Sequence, residues 1–221
     1  MKKMKKVKSH SKTKTKVLSG KADKVDREVE MEKDNLFSIG PMISFKNMTP
    51  AEHASKPVNQ LYLRLRDKKN KKGEELVFTK FVALKLAYYY ESWRLVYDKE
   101  FSEPLKIHAW EHGPVVDEVY EQIKSDGRTR VSKITFENLN ENEAKEKDII
   151  LDAISNIYGS IEDDDLYKIV HKDAPYKSVY EEHKNIEMTK ESLISFFSSP
   201  KDRELDFKNN EKFKKIHHRL I

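Results

Sequence analysis

The segment from His108 to His112 has the side chains most able to do chemistry. It reads HxxEH, the inverted zinc-peptidase motif, in which two His one helical turn apart bind zinc and Glu acts as a base. A third, carboxylate ligand would have to come from Glu181 or Glu182. Gly113-Pro114 follows at once and ends any helix. Because a five-residue match is also of low specificity, we predict no metal site.

A second cluster places the run Asp163 to Asp165 about two helical turns before His171, which invites a metal or acid–base hypothesis. Acidic residues at a helix start interact favourably with its dipole, and a His at a helix end can hydrogen-bond a free carbonyl. We therefore predict a structural role for this cluster. The sequence contains no glycine-rich dinucleotide loop, Walker loop or serine elbow. We expect no catalytic residue, no cofactor and no enzymatic activity.

Charge is distributed unevenly along the chain. The net charge is +5, but residues 1–22 hold nine Lys and no acidic residue, so the remaining chain carries −4. We predict a largely extended, Lys-rich leader over residues 1–56, because Gly40-Pro41 and Thr49-Pro50 interrupt it without a helical or strand period. The leader is either a solubilising tail or a nucleic-acid contact. The candidate contacts are Lys2, Lys3, Lys5, Lys6, Lys8, Lys12, Lys14 and Lys16.

Composition also limits where the protein works. The chain has no cysteine, which excludes disulfides and thiolate metal sites and fits a reducing compartment. Its most apolar stretch, Phe81 to Tyr97, is interrupted by Lys85, Glu91 and Arg94, and such a segment does not cross a bilayer. We predict a cytoplasmic protein without a membrane partner.

The folded domain is expected over residues 57–200, opening with a helix. Val58, Leu61, Tyr62 and Leu65 recur at helical spacing, and Pro57 suits the first turn. A hairpin remains an alternative, because leucines also alternate with polar residues here. Thr79 offers an N-cap to a long helix. Its predicted buried stripe consists of Phe78, Val82, Leu86, Tyr89, Trp93 and Val96.

The middle of the domain is predicted to contain a small β element. Leu105 to His112 favours a strand, which Gly113-Pro114 would end as the corner into a helix carrying Val116, Val119, Tyr120 and Ile123. Val131 to Phe136 alternates like a strand and could pair with the first one.

Three further helices complete the predicted domain. Capping patterns place their starts at Asn140, Ser160 and Thr189. Residues 201–221 form a charged C-terminal tail that could be helical. The predicted class is mainly α (α+β): one compact helical domain with a two- or three-stranded β element and extended tails.

In this order, the elements resemble the Panacea, or SocA-like, family of bacterial antitoxins, formerly a phage-associated domain of unknown function. Residues 79–101, TKFVALKLAYYYESWRLVYDKEF, are similar to the family's pattern of Thr, Leu-x-Lys-Leu, a Tyr-rich turn and Trp. Residues 108–124, HAWEHGPVVDEVYEQIK, resemble its AWxxGPVxxxVY signature. Tyr158-Gly159 and DLYKIVHKDAPY at 165–176 resemble its Tyr-Gly, Leu-x-x-x-x-His and Pro-Trp ending, with Tyr176 where Trp is usual.

The resemblance implies an antitoxin that binds and neutralises a cognate protein toxin. The family also includes a proteolytic adaptor that delivers its toxin to an AAA+ protease, so both mechanisms remain open. The implied motif residues, structural or partner-binding, are Trp93, Ala109, Trp110, Gly113, Pro114, Val115, Tyr120, His171 and Pro175. Core packing alone would also account for the tryptophans and Tyr120, and a structural corner for Gly113-Pro114.

Overall fold

Seven helices and three short strands make up the part of the chain that the computed structural model describes, residues 48–69, 73–74, 77–97, 104–126 and 148–199. They are α1 Pro50–Leu65, α2 Lys80–Tyr97, β1 Ile107–Trp110, β2 Gly113–Val116, α3 Asp117–Ile123, α4 Ile149–Ile157, α5 Asp163–Val170, α6 Ala174–Val179, β3 Ile186–Glu187 and α7 Lys190–Phe197. The predicted mainly α class with a small β element is confirmed. Among these helices, none has the length and apolar character needed to span a membrane.

Helix α2 lies at the centre of this fold. It contacts five other helices, α1, α3, α4, α5 and α7, as well as β2. The predicted N-cap is confirmed, because the amide of Val82 donates to Thr79 Oγ1 over 3.0 Å. Every residue from Ala83 to Tyr97 is buried. Burial therefore extends beyond the predicted stripe to all sides of the helix, as expected for a helix in the interior.

Helix α1 confirms the helical prediction but begins earlier than expected. Its N-cap is Thr49, which forms a capping box with Glu52, and Pro50 occupies the first turn. The predicted start at Pro57 is wrong, and residues 50–56 of the expected extended leader are helical. A capping box satisfies two free amides at once, so the Thr49-Pro50 pair starts a helix here and does not mark a loop.

Strands β1 and β2 form a tight antiparallel hairpin. Trp110 pairs with Gly113 and Ile107 with Val116, so the chain turns at Glu111-His112. The prediction that Gly113-Pro114 is a corner into a helix is wrong, because these residues begin β2 and α3 starts only at Asp117. The strand order is β2-β1-β3, which makes β2 an edge strand, where a proline is tolerated.

The other neighbour of β1 is β3, with His108 opposite Glu187, and the sequence did not indicate this strand. The expected partner at Val131 to Phe136 lies outside the described residues. So do the Asn140 to Glu143 capping pattern, the arm of residues 1–22 and the tail of residues 201–221.

The later helices follow the prediction in part. Helix α4 is capped by Asp148, whose carboxylate accepts from two backbone amides at 2.9 Å, so the helix that carries Ile150 and Ile154 begins at Ile149. Glu162, not Ser160, precedes α5. Thr189 caps α7 as predicted. Helix α6 was not predicted; its six residues are too few to show a helical period.

Candidate partner-binding pocket

A cavity of about 690 Å³ opens beside the N-terminal half of α2. The β1–β2 hairpin, α3 and the segment before β3 supply its other walls. We call it the Lys85 pocket. Its lining residues are Lys80, Phe81, Leu84, Lys85, Trp110, Glu111, His112, Val115, Tyr120, Tyr180, His183, Lys184 and Asn185. Its volume is within the range of about 300–1,000 Å³ typical of ligand sites.

Lys85 is the unusual member of this lining. Its side chain is 1% exposed, and its Nζ donates a hydrogen bond to the Pro114 carbonyl oxygen over 2.9 Å. The ammonium also lies 5.1 Å from the centre of the Phe81 ring. Within the described part of the chain, no carboxylate forms an ion pair with it. Burial disfavours the charged form and lowers the pKa of Lys85 to about 7.

The hairpin leaves room for this ammonium at Gly113. Its φ is +95°, a left-handed backbone conformation that residues other than glycine rarely adopt. A Cβ there would lie 3.0 Å from Val170 Cγ2 and 3.1 Å from Lys85 Nζ. Glycine at this position is therefore required by both backbone and packing.

His171 ties α5 to the hairpin turn. Its Nδ1 lies 2.7 Å from the Tyr167 carbonyl oxygen, and its Nε2 lies 3.2 Å from that of Glu111. The predicted contact between His171 and a helix carbonyl is confirmed. The acidic run also has local partners, since Asp163 accepts from the Thr79 hydroxyl and Asp165 pairs with Lys168. Burial raises the pKa of Asp163.

Aromatic rings line the pocket and form a cluster beside it. Trp110 and Tyr120 pack edge to face with ring centres 4.7 Å apart. Tyr176 donates to the Trp110 carbonyl oxygen over 2.8 Å and stacks on Tyr180. Tyr167, which is 41% exposed, stacks on His171 at 3.8 Å. Rigid rings with polar tips provide large contact area at low entropic cost, as interface anchors do.

Cationic groups outnumber anionic ones in the pocket lining. Lys80 donates to the Lys124 carbonyl and lies 5.1 Å from the centre of the Tyr120 ring. Lys184 pairs with Glu181, whereas Glu111 is the one acidic residue of the lining. The pocket is thus a basic, aromatic site on a chain whose sequence outside the first 22 residues carries a net negative charge.

The HxxEH residues do not have the geometry of a zinc peptidase. His108 lies in β1, where its Nδ1 is 2.8 Å from Asp117 Oδ1, whereas Glu111 and His112 occupy the hairpin turn. The motif needs both His on one face of a helix, and no helix forms here. The described ranges also contain no group of three His, Asp or Glu residues able to hold a metal ion.

The predicted motif residues divide into two groups. Trp93 and Ala109 are core residues, and Pro175 is buried in the first turn of α6. The others surround Lys85 or line its pocket: Trp110, Gly113, Pro114, Val115, Tyr120 and His171. The lysines proposed to contact nucleic acid lie outside the described residues.

Sequence reasoning missed Lys85 itself. It noted this lysine as an interruption of the most apolar stretch and included it in the segment that resembles the family's Leu-x-Lys-Leu pattern, but it assigned the side chain no role. That interruption was the available signal, because a charge inside a fully buried helix needs a partner or a function.

The chain is similar to a known protein family over its central part. The family model of the antitoxin SocA-like, Panacea domain matches residues 84–177. The match runs from α2 into α6 and includes the hairpin, so it contains Lys85 and most of the pocket. The resemblance to this family is confirmed over that segment. Neither the curated proteins nor the solved structures yield a match to the chain.

Proposed function

We propose that this protein is the antitoxin of a type II toxin–antitoxin system and neutralises a cognate protein toxin in the cytoplasm by direct binding. The observation that carries the proposal is the match of residues 84–177 to the SocA-like antitoxin family. The Lys85 pocket supports it, because the matched segment contains an open aromatic site that suits a protein partner.

The physical basis of binding would be the aromatic cluster beside the pocket. Tyr167 is 41% exposed and already held by stacking on His171, so a partner that covers it orders little additional structure. Preorganised aromatic groups contribute affinity for this reason. The toxin would be inhibited because the complex covers its active surface.

Co-expression with the product of the neighbouring gene tests the proposal. We expect that gene to arrest growth alone, the present chain to restore growth, and the two proteins to co-purify. Tyr167→Ser should weaken the complex, whereas Val77→Ser, which removes another exposed apolar side chain, serves as the matched control. Continued arrest without co-purification would contradict the proposal.

Delivery of the toxin to an AAA+ protease is the alternative use of the same binding. The half-life of the toxin distinguishes direct neutralisation from delivery to the protease. Direct neutralisation leaves the toxin's half-life unchanged or longer, whereas an adaptor shortens it only in cells that contain the protease. A pulse–chase measurement of the toxin with and without this chain decides between these mechanisms.

Nucleic-acid binding by the basic arm is a separate proposal, supported by the nine Lys of residues 1–22. Contacts of this kind release counterions, so affinity for a duplex should fall steeply with salt. Deletion of residues 1–22 should abolish it. Binding that is insensitive to salt or to the deletion would refute the proposal.

A further inference from the structure

The Lys85 ammonium has capacity for further hydrogen bonds. An ammonium carries three N–H donors, and the Pro114 carbonyl is its one hydrogen-bond acceptor among the described residues. The only other interaction in that part of the chain is with the face of Phe81. A buried charge without a counter-ion is costly, so this site is incomplete as a purely structural feature.

The pocket supplies the space in which a counter-ion could lie. Lys85 lines the cavity, so an acceptor placed inside can reach the region of its remaining donors. Phe81, Trp110 and Tyr120 present apolar ring surface around that space. An anion attached to an apolar group fits this combination, because the lining has both apolar ring surface and cationic side chains.

We propose that the Lys85 pocket receives an acidic side chain of the toxin, flanked by apolar residues, with the Lys85 ammonium as its counter-charge. This inference rests on the proposed antitoxin function. It names the chemistry that the partner must present: an Asp or Glu on an exposed, partly apolar segment.

The distribution of charge favours a protein carboxylate at this place. Outside residues 1–22 the chain carries a net charge of −4, whereas the pocket lining has Lys80, Lys85 and Lys184 against one acidic residue. Local complementarity of this kind directs a partner to one orientation. The segment of the toxin would be recognised at this position and disfavoured elsewhere.

A double-mutant cycle with the purified toxin tests the pairing. Lys85→Met removes the charge and keeps an apolar side chain of similar length, and Lys106→Met, at an exposed position outside the pocket, is the matched control. Each exposed Asp or Glu of the toxin is changed to Asn or Gln. Calorimetric titration gives Kd for every pair of variants.

We expect Lys85→Met to weaken toxin binding about 30-fold or more, as loss of one partner of a buried charge pair does. Lys106→Met should change Kd less than about twofold. One acidic residue of the toxin should lose its effect when Lys85 is already Met. Equal affinity of wild type and Lys85→Met, or the absence of any coupled acidic residue, would overturn the inference.

A probe that does not involve the toxin separates failure of the pocket from failure of the antitoxin function. In the full chain labelled with ¹³C at lysine Cε, benzoate should shift the Lys85 resonance saturably, and the neutral analogue benzamide should not. If Lys85→Met does not change toxin binding and benzoate gives no response, the proposed role of the pocket is refuted, whereas the antitoxin function is not. A benzoate response without toxin binding would refute the toxin as occupant and indicate a small anion instead.

Discussion

Helix α2 contains two buried charged sites that differ in how their charges are satisfied. Near its C-terminal end, Glu91 and Arg94 are 1% and 0% exposed and face each other. About two turns earlier, Lys85 is equally buried but has no carboxylate partner in the described chain. Burial is the same in both regions, and the presence of a counter-charge distinguishes them.

The paired site, which we call the Glu91 clamp, consists of Glu91, Arg94 and His53. Arg94 donates two hydrogen bonds to the carboxylate, at 2.9 and 2.6 Å, and the amide of Leu105 donates another at 3.0 Å. His53 Nε2 lies 3.4 Å from Glu91 Oε2. Burial alone would raise the pKa of Glu91, but the hydrogen bonds and positive charge of Arg94 and His53 outweigh it and lower the pKa to about 2.

The comparison separates structural charge from charge available to a ligand. In the clamp, both oxygens of the carboxylate are occupied by protein donors, so the site joins α1, α2 and the segment before β1. The Lys85 ammonium uses one carbonyl and retains donors beside an open cavity. A buried charge therefore indicates a binding function only when its partners within the protein are incomplete.

Breaking the clamp should have the largest effect on stability. Glu91→Gln leaves Arg94 buried without its carboxylate, and we expect the free energy of unfolding to fall by about 3–5 kcal/mol. Urea unfolding at pH 7 measures it. The double variant Glu91→Leu with Arg94→Met removes both charges and should cost less than the single variant. A single variant that costs less than the double one would contradict this interpretation.

The same clamp predicts the acid sensitivity of the protein. The pKa of Glu91 is lowered from 4.5 to about 2 in the folded protein, so between these values the unfolded chain binds a proton that the folded one does not. The stabilisation is complete above pH 4.5 and is lost as pH falls towards 2. The stability difference between wild type and Glu91→Gln should therefore shrink over that range.

Lys85→Met, unlike Glu91→Gln, should raise the free energy of unfolding. Below pH 7 wild type pays the full cost of burying an unpaired ammonium, so we expect the variant to be more stable by about 2–4 kcal/mol, after allowing for the lost hydrogen bond to Pro114. The pKa of Lys85 is lowered from 10.5 to about 7. Wild type therefore gains stability as pH rises through this range.

Urea unfolding of wild type and Lys85→Met at pH 6 and pH 9 measures this contrast. The advantage of the variant should be largest at pH 6 and smaller at pH 9. A variant that is less stable than wild type at pH 6 would mean that Lys85 is a satisfied structural residue, and the distinction between the two sites would fail.

Gly113→Ala tests the backbone that surrounds Lys85. The residue has φ +95°, and an added methyl would lie 3.1 Å from Lys85 Nζ. A strained left-handed residue costs about 1–3 kcal/mol, and we expect a loss in that range by thermal unfolding. The Lys85 resonance should also lose its response to benzoate. An unchanged melting temperature would show that the hairpin adjusts freely.

Thr49→Ala should lower stability least, and it should affect the helix of the Glu91 clamp but not the Lys85 pocket. It removes the cap of the helix that carries His53, and loss of such a cap costs about 1 kcal/mol. Thr49→Ser keeps the hydroxyl and serves as the control in chemical unfolding. The benzoate response of Lys85 should remain as in wild type, and its loss would show that the two sites are coupled.

Local features of the sequence predicted the fold where neighbouring residues decide the structure. Thr79 and Thr189 were recognised as caps because a hydroxyl reaches amides only three residues away. The same logic failed at Thr49, where the following proline suggested a loop. The hairpin was misread because Gly113-Pro114 suits either a corner or an edge strand, and only pairing with β1 distinguishes these structures.

The candidate site was accessible to sequence reasoning only in part. The motif around Trp110 and Gly113 marked the correct hairpin, and the family match confirms the segment. The role of Lys85 could not be read from its neighbours in sequence, because its hydrogen-bond acceptor, the Pro114 carbonyl, belongs to β2. The i,i+3 spacing of Glu91 and Arg94 permits an ion pair on one helix, whereas nothing in the sequence indicated that Lys85 would be buried without a carboxylate partner among the described residues.

The sequence by itself determined the central helix, two helix caps, the first strand and the resemblance to the antitoxin family, because periodicity, capping and short motifs depend on residues close together in the chain. Tertiary structure decided that both charged sites of α2 are buried and which of them lies beside a cavity. Lys85 meets the carbonyl of a residue 29 positions later, and Arg94 meets Glu91 one turn away. Packing adds the amide of Leu105 and the ring of His53 to the Glu91 site and leaves Lys85 beside an open pocket.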